Sequence, residues 1–273
     1  MRIELELLST GSLPVDLGVL SPSKVLSLPI QEIEKLTVLV AGFPYELGEH
    51  FKVAQSDGGV DELVLCGSTN RIVSAGFRMN SARLAIHGDV GPFTGAEMSG
   101  GELEVFGNAG DCLGVAMAGG SLRVHGNTGD WCGAVHPGHT KGMTGGTLIV
   151  DGNVGSEAGA GMRRGLLVIA GDSGGYTGVG LLAGTIICLG RLGAGAGLEM
   201  KRGSLVAGSS GFLLPGFRPA GDADLEWLRI YLACLHRSGL PVPSDWERRP
   251  PKRFTGDHLV TGKGEVLVYE IIK

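Results

Sequence analysis

The chain has 273 residues, enough for one large domain or two small ones with a substantial core. Hydrophobic residues make up 43%, which excludes a disordered glycine-rich polymer, and the 49 glycines do not fall at every third position, which excludes collagen. A formal net charge of −5 argues against a general nucleic-acid binder, because phosphate contacts need a basic face.

In chain order, RIELELL (Arg2–Leu8) alternates as a strand does. The opening MRIELELLST is charged, and its apolar run is too short for a signal peptide. No window approaches the ~20 apolar residues of a membrane span. Cys66, Cys112, Cys132, Cys188 and Cys234 are odd in number and never in CxxC spacing, so they read as reduced thiols of a cytoplasmic protein with no membrane contact. LTVLVAG (Leu36–Gly42) and LVLCG (Leu63–Gly67) read as degenerate first units of a repeat, since terminal repeats must cap the stack.

The repeat itself starts at Gly88. A glycine follows each apolar run at Gly88, Gly107, Gly126, Gly152, Gly171 and Gly190, spaced 19, 19, 26, 19 and 19. Further glycines stand 3 and 7 residues on (Gly110 and Gly114, Gly174 and Gly178), marking corners that need positive φ or close backbone approach. Met98, Met117, Met143, Met162, Leu181 and Met200 form one column, and Leu103, Leu122, Leu148, Leu167, Ile186 and Leu205 another. Met143 joins if seven residues around HPGHTKG are inserted after Gly133. The L-x-V pieces alternate with one face inward. Short strands between such corners wind into a right-handed parallel β-helix, an all-β solenoid over 36–208 whose coils stack at about 4.8 Å. The methionine column is then core, because Met fills irregular gaps. A leucine-rich horseshoe is the alternative, but it wants Asn or Cys ladders and a helix per repeat, for which the corners leave no room. GAGAG (Gly193–Gly197) looks dinucleotide-like, but it has no following helix and no acidic residue about 20 positions on.

Residues 1–35 are expected to form an N-terminal strand and cap, and 209–273 a C-terminal appendage. In the latter, FLLPGFRP reads as a linker, and Leu225, Leu228, Tyr231, Leu232 and Leu235 have helical spacing closed by Gly239 and Pro241. PVPSDWERRPPKRF reads as an extended arm, and DHLVTGKGEVLVYEII as a hairpin around Gly262–Gly264.

No catalytic triad assembles from the seven histidines. His87 and His125 share a column with Phe106, Asp151 and Ala170, which reads as an outward surface row. His136 and His139, with Cys132 just before, have a spacing that suits zinc, but a fourth ligand is missing. A projecting loop on a solenoid is a partner contact more often than a metal site, so His136, His139 and Lys141 are assigned to a partner and no metal is expected. Arg163 and Arg164 follow Met162, while Lys201 and Arg202 follow Met200, placing four cations on one corner within about 10 Å. This is either a solvated edge or a seat for an anion or an acidic partner.

The units GNAGDCLGVAMAGGSLRVHG, GNTGDWCGAVHPGHTKGMTGG, GNVGSEAGAGMRRGLLVIAG and GDSGGYTGVGLLAGTIICLG resemble the glycine-patterned β-helical subunit of formylmethanofuran dehydrogenase. That family shares its β-helix with the C-terminal domain of the glutamate synthase large subunit. Similarity runs from about residue 35 through GEVLVYE, with MRRG and HPGHTKGMTGG the more specific phrases. Among relatives the chain looks most like the corresponding subunit of the formyltransferase/hydrolase complex of aerobic methylotrophic bacteria. That resemblance implies a non-catalytic structural subunit in a hetero-oligomer with three others: hydrolase-like, accessory and formyltransferase. The complex would pass a formyl group from tetrahydromethanopterin to a methanofuran-type carrier with a glutamate-rich tail, then release formate. No catalytic residue and no cofactor of its own is carried onto this chain. A subunit of the reductive dehydrogenase, a glutamate-synthase-type spacer and an independent β-helical enzyme such as a carbohydrate lyase remain the alternatives.

Overall fold

The computed structural model describes every residue except 9–10, 58, 212, 223–224 and 272–273, together with the side chain at 271. Position 212 of the expected linker and 272 of the expected hairpin therefore lie outside the described residues. The strands are β1 (Arg2–Leu7), β2 (Val15–Asp16), β3 (Thr37–Val40), β4 (Phe43–Glu46), β5 (Phe51–Ser56), β6 (Glu62–Gly67), β7 (Ile72–Val73), β8 (Arg83–Ile86) and β9 (Ser99–Val105). They continue as β10 (Gly119–Val124), β11 (Thr147–Val150), β12 (Leu166–Ile169), β13 (Thr185–Leu192), β14 (Arg202–Ser210), β15 (Arg218–Asp222), β16 (Lys252–Gly256) and β17 (Lys263–Ile271).

The chain is mostly β, dominated by one 13-stranded sheet ordered β15-β16-β17-β14-β13-β12-β11-β10-β9-β8-β6-β1-β5. From β1 through β6 and β8–β14 to β17, each neighbouring pair is parallel. The register aligns the leucine column: Leu84, Leu103, Leu122, Leu148, Leu167, Ile186, Leu205 and Val266 lie side by side. Each is at most 2% exposed, and the column from Met98 to Met200 is fully buried, so both predicted columns face the core. A second line of parallel bridges runs through Val90, Ala109, Thr128, Val154 and Ser173. Successive units are thus tied at a strand and at a second point further round.

The two glycine columns serve different needs. At Gly114 φ is +57°, and a Cβ would also stand 2.5 Å from Leu148 Cδ1. Gly174 has no positive φ, but a Cβ there would sit 2.6 Å from the backbone carbon of Gly155, one unit earlier. The first column turns the chain, and the second lets neighbouring units approach.

The ends are closed by non-repeating chain. At one end β1 pairs in parallel with β6 and antiparallel with β5, which becomes the edge. At the other, β17 extends the parallel series, and β16 and β15 add antiparallel. The expected hairpin therefore has different arms: its first is Lys252–Gly256, read from sequence as the end of the proline-rich arm, while His258–Thr261 lies in the connection. Pairing of eight of the nine residues of β17 with β14 decides this, because β14 supplies a template along almost its whole length. The linker FLLPGFRP runs straight into β15. Leu36–Gly42 also departs from expectation, since β3 lies in a separate four-stranded sheet ordered β4-β3-β2-β7, paired antiparallel with β2 and β4. LVLCG, by contrast, forms β6 in the main series.

The predicted helix spans Glu226–Arg237 and buries Leu228, Leu232 and Leu235. It packs on Val168, Ile187, Val206 and Leu267, which share one register row on the outer face of the sheet. In earlier units that row holds Glu104 and Arg123. The row turns apolar where the helix covers it. Trp246 of the arm completes this second core, stacking on Tyr269 at 4.0 Å. No helix among the described residues is long and apolar enough to cross a membrane.

Candidate functional site

A side-chain ladder, not anticipated from the sequence, stands one residue after each unit glycine. Asp89 Oδ1 accepts the Asn108 N–H at 2.7 Å, Asn108 Oδ1 accepts that of Asn127 at 2.9 Å, and Asn127 Oδ1 accepts that of Asn153 at 2.8 Å. The series continues through Asp172 and Arg191, at 2.8 Å each. Every rung satisfies a backbone donor at a corner where no strand partner is available. The ladder occurs here without the helix per repeat of a horseshoe.

The outward row is as the sequence suggested. His87 and Phe106 stack at 4.9 Å, and Phe106 and His125 at 5.0 Å, matching the separation of neighbouring strands. His125 also sits between two carboxylates, with Nδ1 2.8 Å from Asp151 and Nε2 2.9 Å from Glu104. Arg123 pairs with Asp151 at 3.1 Å and donates to the Ser238 carbonyl at 3.3 Å. Those contacts fasten the C-terminal end of the helix to the sheet, which is where a cation complements the helix dipole.

Arg163, Arg164, Lys201 and Arg202 fall as expected: two pairs in the same columns, two units apart, separated by Leu182 and Ala183. All four are exposed, and none has an ion-pair partner among the described residues. Their backbones are anchored, since Arg163 donates to the Met143 carbonyl and Lys201 to that of Leu181, both at 2.8 Å. Fixed main chain with free cationic ends suits binding of carboxylates or phosphates.

The insertion after Gly133 does not project freely. His136 meets the edge of Phe93 with ring centroids 5.8 Å apart, and His139 donates its N–H to the His136 carbonyl at 2.9 Å, closing a turn. The loop reaches back across one unit to Glu97. Glu97 Oε1 lies 3.4 Å from His139 Nε2 and 3.8 Å from His136 Nδ1, while Arg78 Nε donates to Oε2 at 2.8 Å. That hydrogen bond from Arg78 holds the Glu97 carboxyl below its ordinary range, against the opposing effect of burial. Lys141 is half-buried beside the loop. The sequence points to the two histidines but not to Glu97, because nothing in the repeat links residues that far apart. An open groove of about 450 Å³ borders this cluster, walled by Phe77, Phe93 and His136 with Asp16 and Ser74 at its margin.

The thiols are unlike one another. Burial pushes Cys66 up to about 11, with a hydrogen bond to Glu4 adding to it, and burial pushes Cys188 up to about 12. Cys132 is fully buried and raised further, whereas Cys234 is exposed.

No protein-family model matches the chain, and no curated protein matches it either. Among solved structures, a chain in the X-ray crystal structure of the formyltransferase/hydrolase complex (FhcABCD) from Methylorubrum extorquens, in complex with methylofuran, matches with a TM-score of 0.86 and 32% identity. The match covers 98% of this chain and 99% of that one.

Proposed function

We infer that this chain, which belongs to the same family as a chain of the formyltransferase/hydrolase complex FhcABCD, is a non-catalytic structural subunit of such a complex. The host would move a formyl group from tetrahydromethanopterin to a methanofuran-type carrier and hydrolyse it to formate in the cytoplasm, with formyltransferase, hydrolase-like and accessory subunits as partners. The observation that carries this is the extent of the match, which leaves almost nothing of either chain unaccounted for. Its counterpart is a chain of a four-subunit assembly, and the present chain is read as the β-helical member of such a set.

The same proposal treats the parallel units as coils of a right-handed β-helix, capped by the N-terminal sheets and by 209–273. In-register pairing at 19-residue steps, two lines of parallel bridges and a ladder at the corner support it. A stack of this kind offers long, flat faces to partners. The cations at Arg163, Arg164, Lys201 and Arg202 would then hold the carboxylate-rich tail of the carrier or an acidic partner surface. The insertion carrying His136, His139 and Lys141 would contact a neighbouring subunit.

Co-purification tests the reading. The tagged chain, produced with its three expected partners, should bring all of them down, and the assembly should release formate from formyl-tetrahydromethanopterin. The chain alone should turn over nothing, and omitting it should scatter the rest. A chain that stays alone, or that catalyses a reaction by itself, overturns the proposal.

A further inference from the structure

We propose that Glu97, His136 and His139 bind one divalent transition-metal ion of the zinc type, which ties the insertion to a unit two repeats earlier. The three residues present one donor atom each, all within 4.8 Å of one another.

The separations fit a shared ion better than they fit direct hydrogen bonds. An N–H···O bond brings its heavy atoms to about 2.7–3.2 Å, and the two imidazole–carboxylate distances are 3.4 and 3.8 Å. Two ligands held at about 2.0–2.1 Å from one tetrahedral zinc stand about 3.3 Å apart. His139 already meets that value, and His136 needs a few tenths of an ångström. The separation between the two histidine donors, also within 4.8 Å, is adjusted by turning the exposed His139 ring. His136 Nδ1 also lies 2.9 Å from its neighbour's carbonyl at Pro137, so binding exchanges that hydrogen bond for a metal bond and needs the other neutral tautomer, its proton moving through solvent from Nδ1 to Nε2.

The carboxylate is prepared for the role. Arg78 occupies Oε2 and is itself steadied over the Phe77 ring at 4.8 Å, leaving Oε1 turned toward both histidines. An outer partner that fixes a ligand's orientation in this way is usual around bound metals. The backbone of Glu97 is fixed as well: φ is 55°, and its N–H donates to the Val115 carbonyl at 2.8 Å. The equivalent residue of the next unit is Ala116, also at positive φ, and its short side chain leaves the loop room to lie back over it.

Two imidazoles with one carboxylate favour zinc, cobalt or nickel over calcium and magnesium, which prefer all-oxygen shells. Three protein ligands leave a position for water or an incoming carboxylate, and the groove bordering His136 gives access. The positive charge of Arg78 weakens the site, so micromolar affinity is expected. None of this depends on the host complex, since the ligands all come from this chain. It reverses the expectation of no metal drawn from the sequence, where Cys132 stands beside the two histidines, a fourth ligand is missing and Glu97 is not in view.

The test uses the full chain, stripped with a chelator and titrated with zinc against a chromophoric competitor, then with cobalt, whose visible absorption reports coordination geometry. One equivalent should bind, and His139→Ala and Glu97→Gln should each weaken zinc at least about 100-fold, while His125→Gln leaves it unchanged. Bound zinc should also slow tryptic cleavage after Lys141. Because His139 is exposed, His139→Ala decides the matter even if Glu97→Gln destabilises the fold. Absence of stoichiometric binding, or binding that survives His139→Ala, overturns the site.

Discussion

Replacing Asn127 with Ala measures what the side-chain ladder contributes. The substitution removes the acceptor that takes the Asn153 N–H at 2.8 Å and the Nδ2 donor that meets Asn108 Oδ1 at 3.2 Å. It keeps the bond from its own main-chain N–H to Asn108 Oδ1 at 2.9 Å. Each neutral hydrogen bond contributes about 1 kcal/mol net, and Asn153 is exposed enough for water to replace part of the loss, so the cost is about 1–2 kcal/mol. Asn127→Asp separates the two contributions. It retains the acceptor, as Asp89 and Asp172 do elsewhere in the ladder, but loses the donor, so it should cost less than the alanine. Urea unfolding followed by circular dichroism gives both values, with Ser121→Ala on the neighbouring exposed strand position as the control. An Asn127→Ala midpoint equal to that of the control would refute the ladder as a source of stability. An Asp variant as costly as the alanine would show that the acceptor is not what matters.

Three further outcomes follow from the same geometry. Met117 is fully buried between Met98 and Met143 of its column, so Met117→Asp should cost about 3–5 kcal/mol and Met117→Leu less than about 1.5, read as urea midpoints; equal values would place the column outside the core. Changing Arg163, Arg164 and Arg202 together to Gln should leave the isolated chain folded but lower carrier retention or complex yield, most clearly at low salt, because screening at high salt weakens the native contact and narrows the difference; normal assembly at both salts defeats the role given to this corner. The raised thiols set an alkaline limit: Cys66 and Cys188 lose their protons near 9.0 when unfolded and near 11 and 12 when folded, so their contribution is complete below pH 9 and is lost as pH rises toward those values. Urea midpoints that stay flat from about pH 8.5 to about pH 10.5 in the native chain, or fall equally after both are changed to Ala, would contradict that.

The parts of the fold that are legible in the sequence are those an in-register parallel stack repeats. Residues above one another share one environment, so a corner that needs glycine and a gap that suits methionine return every 19 residues. Gly114, Met117 and Leu122 announce their structural roles because Gly133, Met143 and Leu148 repeat them. Roles that tolerate several residue types do not announce themselves. Phe93, Cys112, Trp131, Glu157 and Tyr176 all adopt φ of 58–61° at one column, but their side chains range from aromatic ring to thiol to carboxylate. The Asp/Asn ladder is visible as letters but reads as loop, since only the hydrogen bonds reveal that each side chain serves the unit after it. The first arm of the C-terminal hairpin is misplaced by sequence because turn signals cluster near Gly262, while pairing with β14 fixes β17 independently of any turn.

A repeat specifies contacts one unit away, so whatever crosses two units is hidden from it. Glu97 is hidden in this way. Its column holds Ala116, Gly161, Gly180 and Glu199, all at positive φ, a conformation that a small residue adopts with least strain. The stack does not repeat a glutamate there, and each of the two has a tie of its own: Glu199 donates its N–H to Asp257 at 3.2 Å, and Glu97 pairs with Arg78 of the preceding unit at 2.8 Å and faces the insertion. The insertion is likewise unnecessary for stacking, because β10 and β11 pair in register on either side of it. Two departures from the repeat that the fold does not require, far apart in sequence, meet at 3.4 Å. In a chain whose columns are otherwise dictated by their neighbours, that meeting is where a role beyond stacking is encoded.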